Sequence, residues 1–110
     1  MLNKIGFFQF DNLIKNRIPF LLFNFGSDLS SWYQSLYQEH LLKNQILTNS
    51  GQFLQDFESQ AASKDAAIIL LCEEAGDSAR FFAELEKKGY TNVYVVDGGY
   101  QQMMTERSSS

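Results

Sequence analysis

Two textures of hydrophobicity alternate along this chain. Short, nearly continuous apolar runs occur at "FLLFNF" (20–25), "AAIILLC" (66–72) and "NVYVV" (92–96). Runs this short, without polar alternation, predict strands buried on both faces, as in a parallel sheet. Elsewhere apolar residues recur at helical spacing: Phe10, Leu13 and Ile14, then Leu29, Trp32, Tyr33, Leu36 and Tyr37. The same spacing returns at Phe53, Leu54 and Phe57, and at Phe81, Phe82 and Leu85. The punctuation agrees. Pro19 bars helical geometry at the residue before it, so the first helix must end near "NRIP". Gly26 and Ser27 break the first strand, and Asp28 is placed to cap the aromatic helix. "QILT" (45–48) is a short strand candidate, Asn49 followed by Gln52 predicts a capping box, and "AASKD" is a turn. Asp77 or Ser78 caps the next helix; Lys87 and Lys88 suit its negative end and Gly89 stops it. Gly98 and Gly99 turn the chain into a last short helix from Tyr100 to about Met104. This order predicts an α/β fold, a small parallel sheet flanked by helices on both faces. Sites in such sheets form at the carboxyl ends of the strands, and Cys72 ends the clearest one.

Composition narrows the picture. The chain has 110 residues, 45% of them hydrophobic, enough for the core of a single domain. That domain is expected over residues 1–106, with 107–110 as a polar, disordered tail. The formal net charge is −4 and the one adjacent basic pair is Lys87–Lys88, so nucleic acid is not an expected partner. The apolar stretch "IGFFQF" is too short to span a bilayer, and no secretory signature precedes it. A single cysteine excludes an internal disulfide and argues against a structural zinc site. These features together give the expectation of a cytoplasmic chain with no metal, no cofactor and no membrane contact.

The chemistry centres on Cys72. A thiol between a strand and a helix N-terminus meets unpaired backbone N–H groups and the positive end of the helix dipole, which favour thiolate. Glu73, Glu74 and Asp77 oppose this. A carboxylate ~7 Å away, at an effective dielectric of ~40, costs the thiolate on the order of 1 kcal/mol. Arg80 is the nearest base and a partner for one of these acids. The bland readings stand beside this one: Cys72 as an inert core residue, Asp77 as a helix cap, and Glu73 and Glu74 as solvated loop charges. His40, the one histidine, is read as structural. The Trp32 stripe reads as core-facing, or as an exposed partner patch if its helix is an insertion. Gly98–Gly99 lacks the surrounding pattern of a nucleotide loop and reads as a turn.

"IILLCEEAGDSARFFAELEKKGYTNVYVVDGGYQQM" resembles the second half of a single-domain rhodanese, the sulfurtransferase-like family. The matching features are the apolar strand into Cys72, five loop residues, "SAR" opening a helix, and "LEKKGYTNVYVVDGG" before the last helix. The first half is looser: Asn24, Phe25 and Gly26 stand where the family has Asp-Val-Arg, and "EHLLKNQIL" stands at its Gly-His-Ile-Pro-Gly-Ala. The resemblance implies that Cys72 is catalytic and carries a persulfide. It also implies that Glu73, Glu74, Ala75, Gly76, Asp77 and Ser78 form the substrate-binding loop. Acids occupy places where thiosulfate-using relatives carry bases, so thiosulfate is expected to be a poor donor. A neutral or cationic thiol, or a basic protein partner, fits better. Phosphatases of this fold need an arginine where Ser78 stands, so that chemistry is excluded. Two readings remain open: a sulfurtransferase or sulfur carrier, and a catalytically inactive rhodanese-like binding or scaffold module.

Overall fold

The computed structural model describes residues 3–29, 31–72, 75–96 and 98–109, with Ala75, Gly76 and Ser109 described in their backbone alone. Five strands and five helices alternate: β1 (Lys4–Ile5), α1 (Phe7–Lys15), β2 (Leu21–Asn24), α2 (Ser35–Asn44), β3 (Gln45–Leu47), α3 (Phe53–Ser59), β4 (Ile68–Leu71), α4 (Ala75–Lys87), β5 (Val93–Val96) and α5 (Gly99–Ser109). The strands form one parallel sheet in the order β1-β5-β4-β2-β3.

The central β4 explains its own sequence. "IILL" is buried along its whole length because β2 and β5 flank it and helices cover both faces. Ile69 and Leu71 face one core with Leu22, Val96, Phe10, Ile14, Leu41 and Met103, from β2, β5, α1, α2 and α5. Ile68 and Leu70 face the other with Phe23, Val93, Phe53, Phe57, Phe81 and Leu85, from β2, β5, α3 and α4. The fold class read from the sequence is the one observed.

Two helix ends share one device. After α4, Tyr90 N–H donates to Leu85 carbonyl and Gly89 N–H to Glu86 carbonyl, with Gly89 at φ 92°. This is a Schellman motif with the usual glycine in the left-handed position. After α1 the same pair of bonds runs from Ile18 to Leu13 and from Arg17 to Ile14, but the left-handed residue is Arg17, at φ 51°. This motif, not Pro19 alone, stops α1. A side chain in that conformation costs about 1–2 kcal/mol relative to right-handed geometry.

Several expectations are corrected. Residues 28, 29 and 31–34 are not helical: α2 starts at Ser35, whose φ of 54° separates it from the preceding turn. The aromatic residues there satisfy tertiary contacts instead, with Tyr33 hydroxyl donating to Asp11 and Trp32 stacking on Tyr100. The Asn49–Gln52 capping box does not form. Asn49 Oδ1 accepts from Gly51 N–H at 3.0 Å, and the Gln52 amide points forward to Gln55. Neither Asp77 nor Ser78 caps α4, because the helix begins at Ala75 and both lie in its opening turns. β1 has no counterpart in the sequence reading. The last helix extends beyond Met104, so Arg107 and Ser108, expected in a disordered tail, lie in the closing turn of α5. Among the described residues no helix is long and apolar enough to cross a membrane.

Candidate functional site

The sheet order creates a crevice. The chain leaves β2 toward β3 on one side and leaves β4 toward β5 on the other. The helices that follow, α2 and α4, pack on opposite faces. The carboxyl ends of β2 and β4 are therefore a topological switch point, where α/β sheets place their ligands. Cys72 is the residue immediately after β4.

Backbone bonds fix it there. Phe25 N–H donates to Leu71 carbonyl at 2.9 Å, so β2 and β4 stay zipped to the level of the cysteine. Tyr100 N–H donates to the Cys72 carbonyl at 2.9 Å. Gly98 and Gly99, at φ 72° and 70°, make the left-handed turn that presents this N–H. A side chain on Gly98 would collide with Gln102, 2.4 Å from the Cβ position. The glycine pair thus serves the thiol site, which sharpens its reading as a turn.

The thiol is free and only 3% exposed. Burial pushes it above its ordinary value; Ser78 hydroxyl opposes that shift, Asp77 adds to it, and Arg80 opposes it. At neutral pH Cys72 therefore rests as thiol. Ser78 lies in α4, fully buried, and among the described residues its Oγ makes no hydrogen bond of good geometry. It still favours the thiolate because it is a buried dipole beside the sulfur with no competing partner.

The remaining loop acids divide. Asp77 is partly exposed and turned outward, accepting from Ser50 hydroxyl at 2.8 Å and pairing with Arg80 at 3.5 Å. This surface pair is screened by water. Glu73 and Glu74 lie outside the described residues, and for Ala75 and Gly76 only their place at the start of α4 is described.

Asn24, where the resemblance leads one to expect aspartate, is completely buried and fully used. Its amide donates to Ser27 carbonyl at 2.7 Å and to Gln45 Oε1 at 2.8 Å, and its Oδ1 accepts from Ser27 N–H at 2.8 Å. It shapes the turn beside the crevice without a formal charge. His40 is at the other end of the sheet. Its Nε2 lies 2.9 Å from Ile18 carbonyl, before β2, and its ring packs edge-on against Phe20. A strand's length, on the order of 15–20 Å, separates that level from Cys72, so no Cys-His couple exists. Among the described residues no group of His, Cys, Asp and Glu side chains is arranged to hold a metal ion. Sequence reasoning missed the Tyr100 contact. Its signal was the glycine pair, which places the next N–H at the rim of the sheet.

The sequence profile described as "Rhodanese-like domain" matches residues 28–106. A curated tRNA uridine(34) hydroxylase of Bdellovibrio bacteriovorus is 30% identical over 82 residues, which is 72% of this chain. The chain spans 23% of that relative's length.

Proposed function

Because the chain belongs to the rhodanese-like domain family, we propose that it is a sulfurtransferase or sulfur carrier whose Cys72 becomes a persulfide. The observation that carries this reading is the free thiol at the β2/β4 switch point, beside the otherwise unpartnered Ser78 hydroxyl. Cys72 thiol first loses its proton to solvent. The thiolate attacks the sulfane sulfur of a donor, forming a new S–S bond while the donor's S–S bond breaks and its remaining sulfur leaves with the electron pair. A nucleophilic acceptor then attacks the outer sulfur, and Cys72 departs as thiolate. Ser78 stabilises the anion in both steps.

Donor choice follows from the surroundings. Burial and the Asp77 carboxylate both disfavour added negative charge at the sulfur, so a doubly charged thiosulfate is a poor donor. A neutral or cationic low-molecular-weight persulfide, or a donor held on a basic protein surface, suits the site better. The tRNA hydroxylation of the relative is not carried over to this chain.

A second reading, a binding module without turnover, is favoured by the raised thiol alone. One experiment separates them. The protein is incubated with a cysteine persulfide or with thiosulfate, and its intact mass is followed before and after cyanide. A one-sulfur adduct on Cys72 from the persulfide, removed by cyanide, supports transfer. An alkylatable Cys72 that no donor loads leaves the binding module.

A further inference from the structure

A second concavity lies away from the thiol. An open groove of about 1180 Å³ runs between α1, the segment leading into α2 and the end of α5. Its walls expose apolar side chains that a folded chain normally covers: Phe8 is 55% exposed, Leu36 59% and Tyr37 42%. Its charge is opposite to that of the molecule. Among its described lining residues Lys15, Arg17 and Arg107 stand against the single carboxylate of Asp11, in a chain of net charge −4. Asp11 is already held, by Lys15 at 3.1 Å and by Tyr33 hydroxyl at 2.8 Å. Nearby Glu106 accepts from Phe7 N–H at 3.1 Å.

The backbone gives a second, independent sign. Three non-glycine residues have positive φ, Arg17, Ser35 and Ala61, among those described, and the first two line this groove. At Arg17 the Schellman position calls for glycine, as Gly89 shows at the end of α4. The chain instead keeps a strained arginine where it reaches the groove, a pattern found where binding, not folding, sets the residue.

We propose that this groove docks a partner protein through an acidic segment bearing an apolar anchor. Carboxylates of that segment meet Arg17 at the groove's rim while its apolar side chain covers Leu36 and Phe8. The chemistry suits a peptide better than a nucleic acid. Trp32 is occupied by Tyr100 at 5.5 Å and by the Arg107 guanidinium at 5.0 Å, which leaves Phe8 and Tyr37 as exposed rings for bases, and the net charge of −4 disfavours a polyanionic strand. A second copy of the chain is disfavoured by the repulsion of two molecules at −4 each.

The test uses the full chain carrying Cys72→Ser, so that sulfur chemistry plays no part. Trp32, the one tryptophan, reports binding by its fluorescence. The probes are a helical peptide of glutamates with two leucines a turn apart, its lysine counterpart, and oligouridylate. Binding of the glutamate peptide is expected, weakening about tenfold in Arg17→Glu and in Leu36→Asp. In Arg17→Gly the affinity falls several-fold while the melting temperature rises. Equal binding of the lysine peptide, tighter binding of oligouridylate, or unchanged affinity in both Arg17→Glu and Leu36→Asp overturns the proposal. So does a concentration-dependent dimer in sedimentation that Leu36→Asp dissolves. Thermal unfolding of each variant verifies that the fold persists.

Discussion

Cys72 and the aromatic groove lie on either side of one stacked pair, Trp32 on Tyr100, and they are built in opposite ways. The thiol is closed in, held protonated by burial and flanked by the outward Asp77. The groove is wide, lined by cations and by apolar side chains left in water. The first suits covalent chemistry on a small group, where excluded water strengthens each dipole. The second suits recognition, where area and charge complementarity matter more than depth. On the two proposals made above, a small domain separates what it reacts with from what it holds, using the two ends of one helix, α5.

The largest effect that could break this division is at the sulfur. Cys72→Ser should abolish persulfide formation completely in intact-mass assays, while glutamate-peptide affinity stays within about twofold, because the sites share no side chain. Loss of both would mean one site. Next comes Ser78→Ala. Alkylation and sulfur loading near pH 8 should slow by about three- to tenfold, with the midpoint of alkylation moving to higher pH. Denaturant midpoints should hold or rise, since the deleted hydroxyl has no hydrogen bond to lose.

The pH dependence of stability sharpens the comparison, because each region holds one proton more tightly in the folded state. Burial raises Cys72, and burial followed by the Asp11 hydrogen bond raises Tyr33. The stability they confer is complete below their ordinary values, 9.0 for the thiol and 10.0 for the phenol, and is lost as pH rises through the folded values. Urea unfolding across pH 8 to 11 should therefore show falling stability. Tyr33→Phe should flatten the upper part of that fall, at a cost of about 1–2 kcal/mol at neutral pH from the lost bond to Asp11. The smallest effect is Asp77→Asn, a screened surface change that should lower the alkylation midpoint by less than about half a pH unit.

How legible each region was depends on how local it is. β2, β4 and β5 are written as continuous apolar runs, because a parallel strand covered on both faces tolerates little else. β1 is two residues whose neighbourhood is tied to β5 by backbone and amide bonds, such as Asn3 to Val93 at 3.1 Å, and backbone pairing leaves no hydrophobic signature. The helical spacing of Leu29 to Tyr37 misled in its first half: contacts with Asp11, Phe7 and Tyr100 hold Trp32 and Tyr33 outside a helix, and only Leu36 and Tyr37 lie in α2. Cys72 could be placed because strand, thiol and helix are adjacent in sequence. Ser78 was named in the loop, yet its burial depends on how α4 packs. The groove was legible only in part: the Trp32 stripe was offered as an exposed partner patch, but not the walls it meets. Its walls come from three distant segments, and one of them, around Arg107, reads as a polar tail until α5 is seen to carry it.

Tyr100 makes three bonds with three different parts of itself. Its N–H holds the Cys72 carbonyl at 2.9 Å, its ring stacks on Trp32, and its hydroxyl donates to Asp28 carbonyl at 3.1 Å. A residue gripped in this way touches both the neighbourhood of the thiol and the rim of the groove. Whatever factor sulfur on Cys72 applies to occupancy of the groove, occupancy of the groove must apply to the equilibrium for loading the sulfur. Tyr100→Ala keeps the N–H that holds the Cys72 carbonyl and removes the ring and the hydroxyl, so any coupling those two carry would fall toward a factor of one.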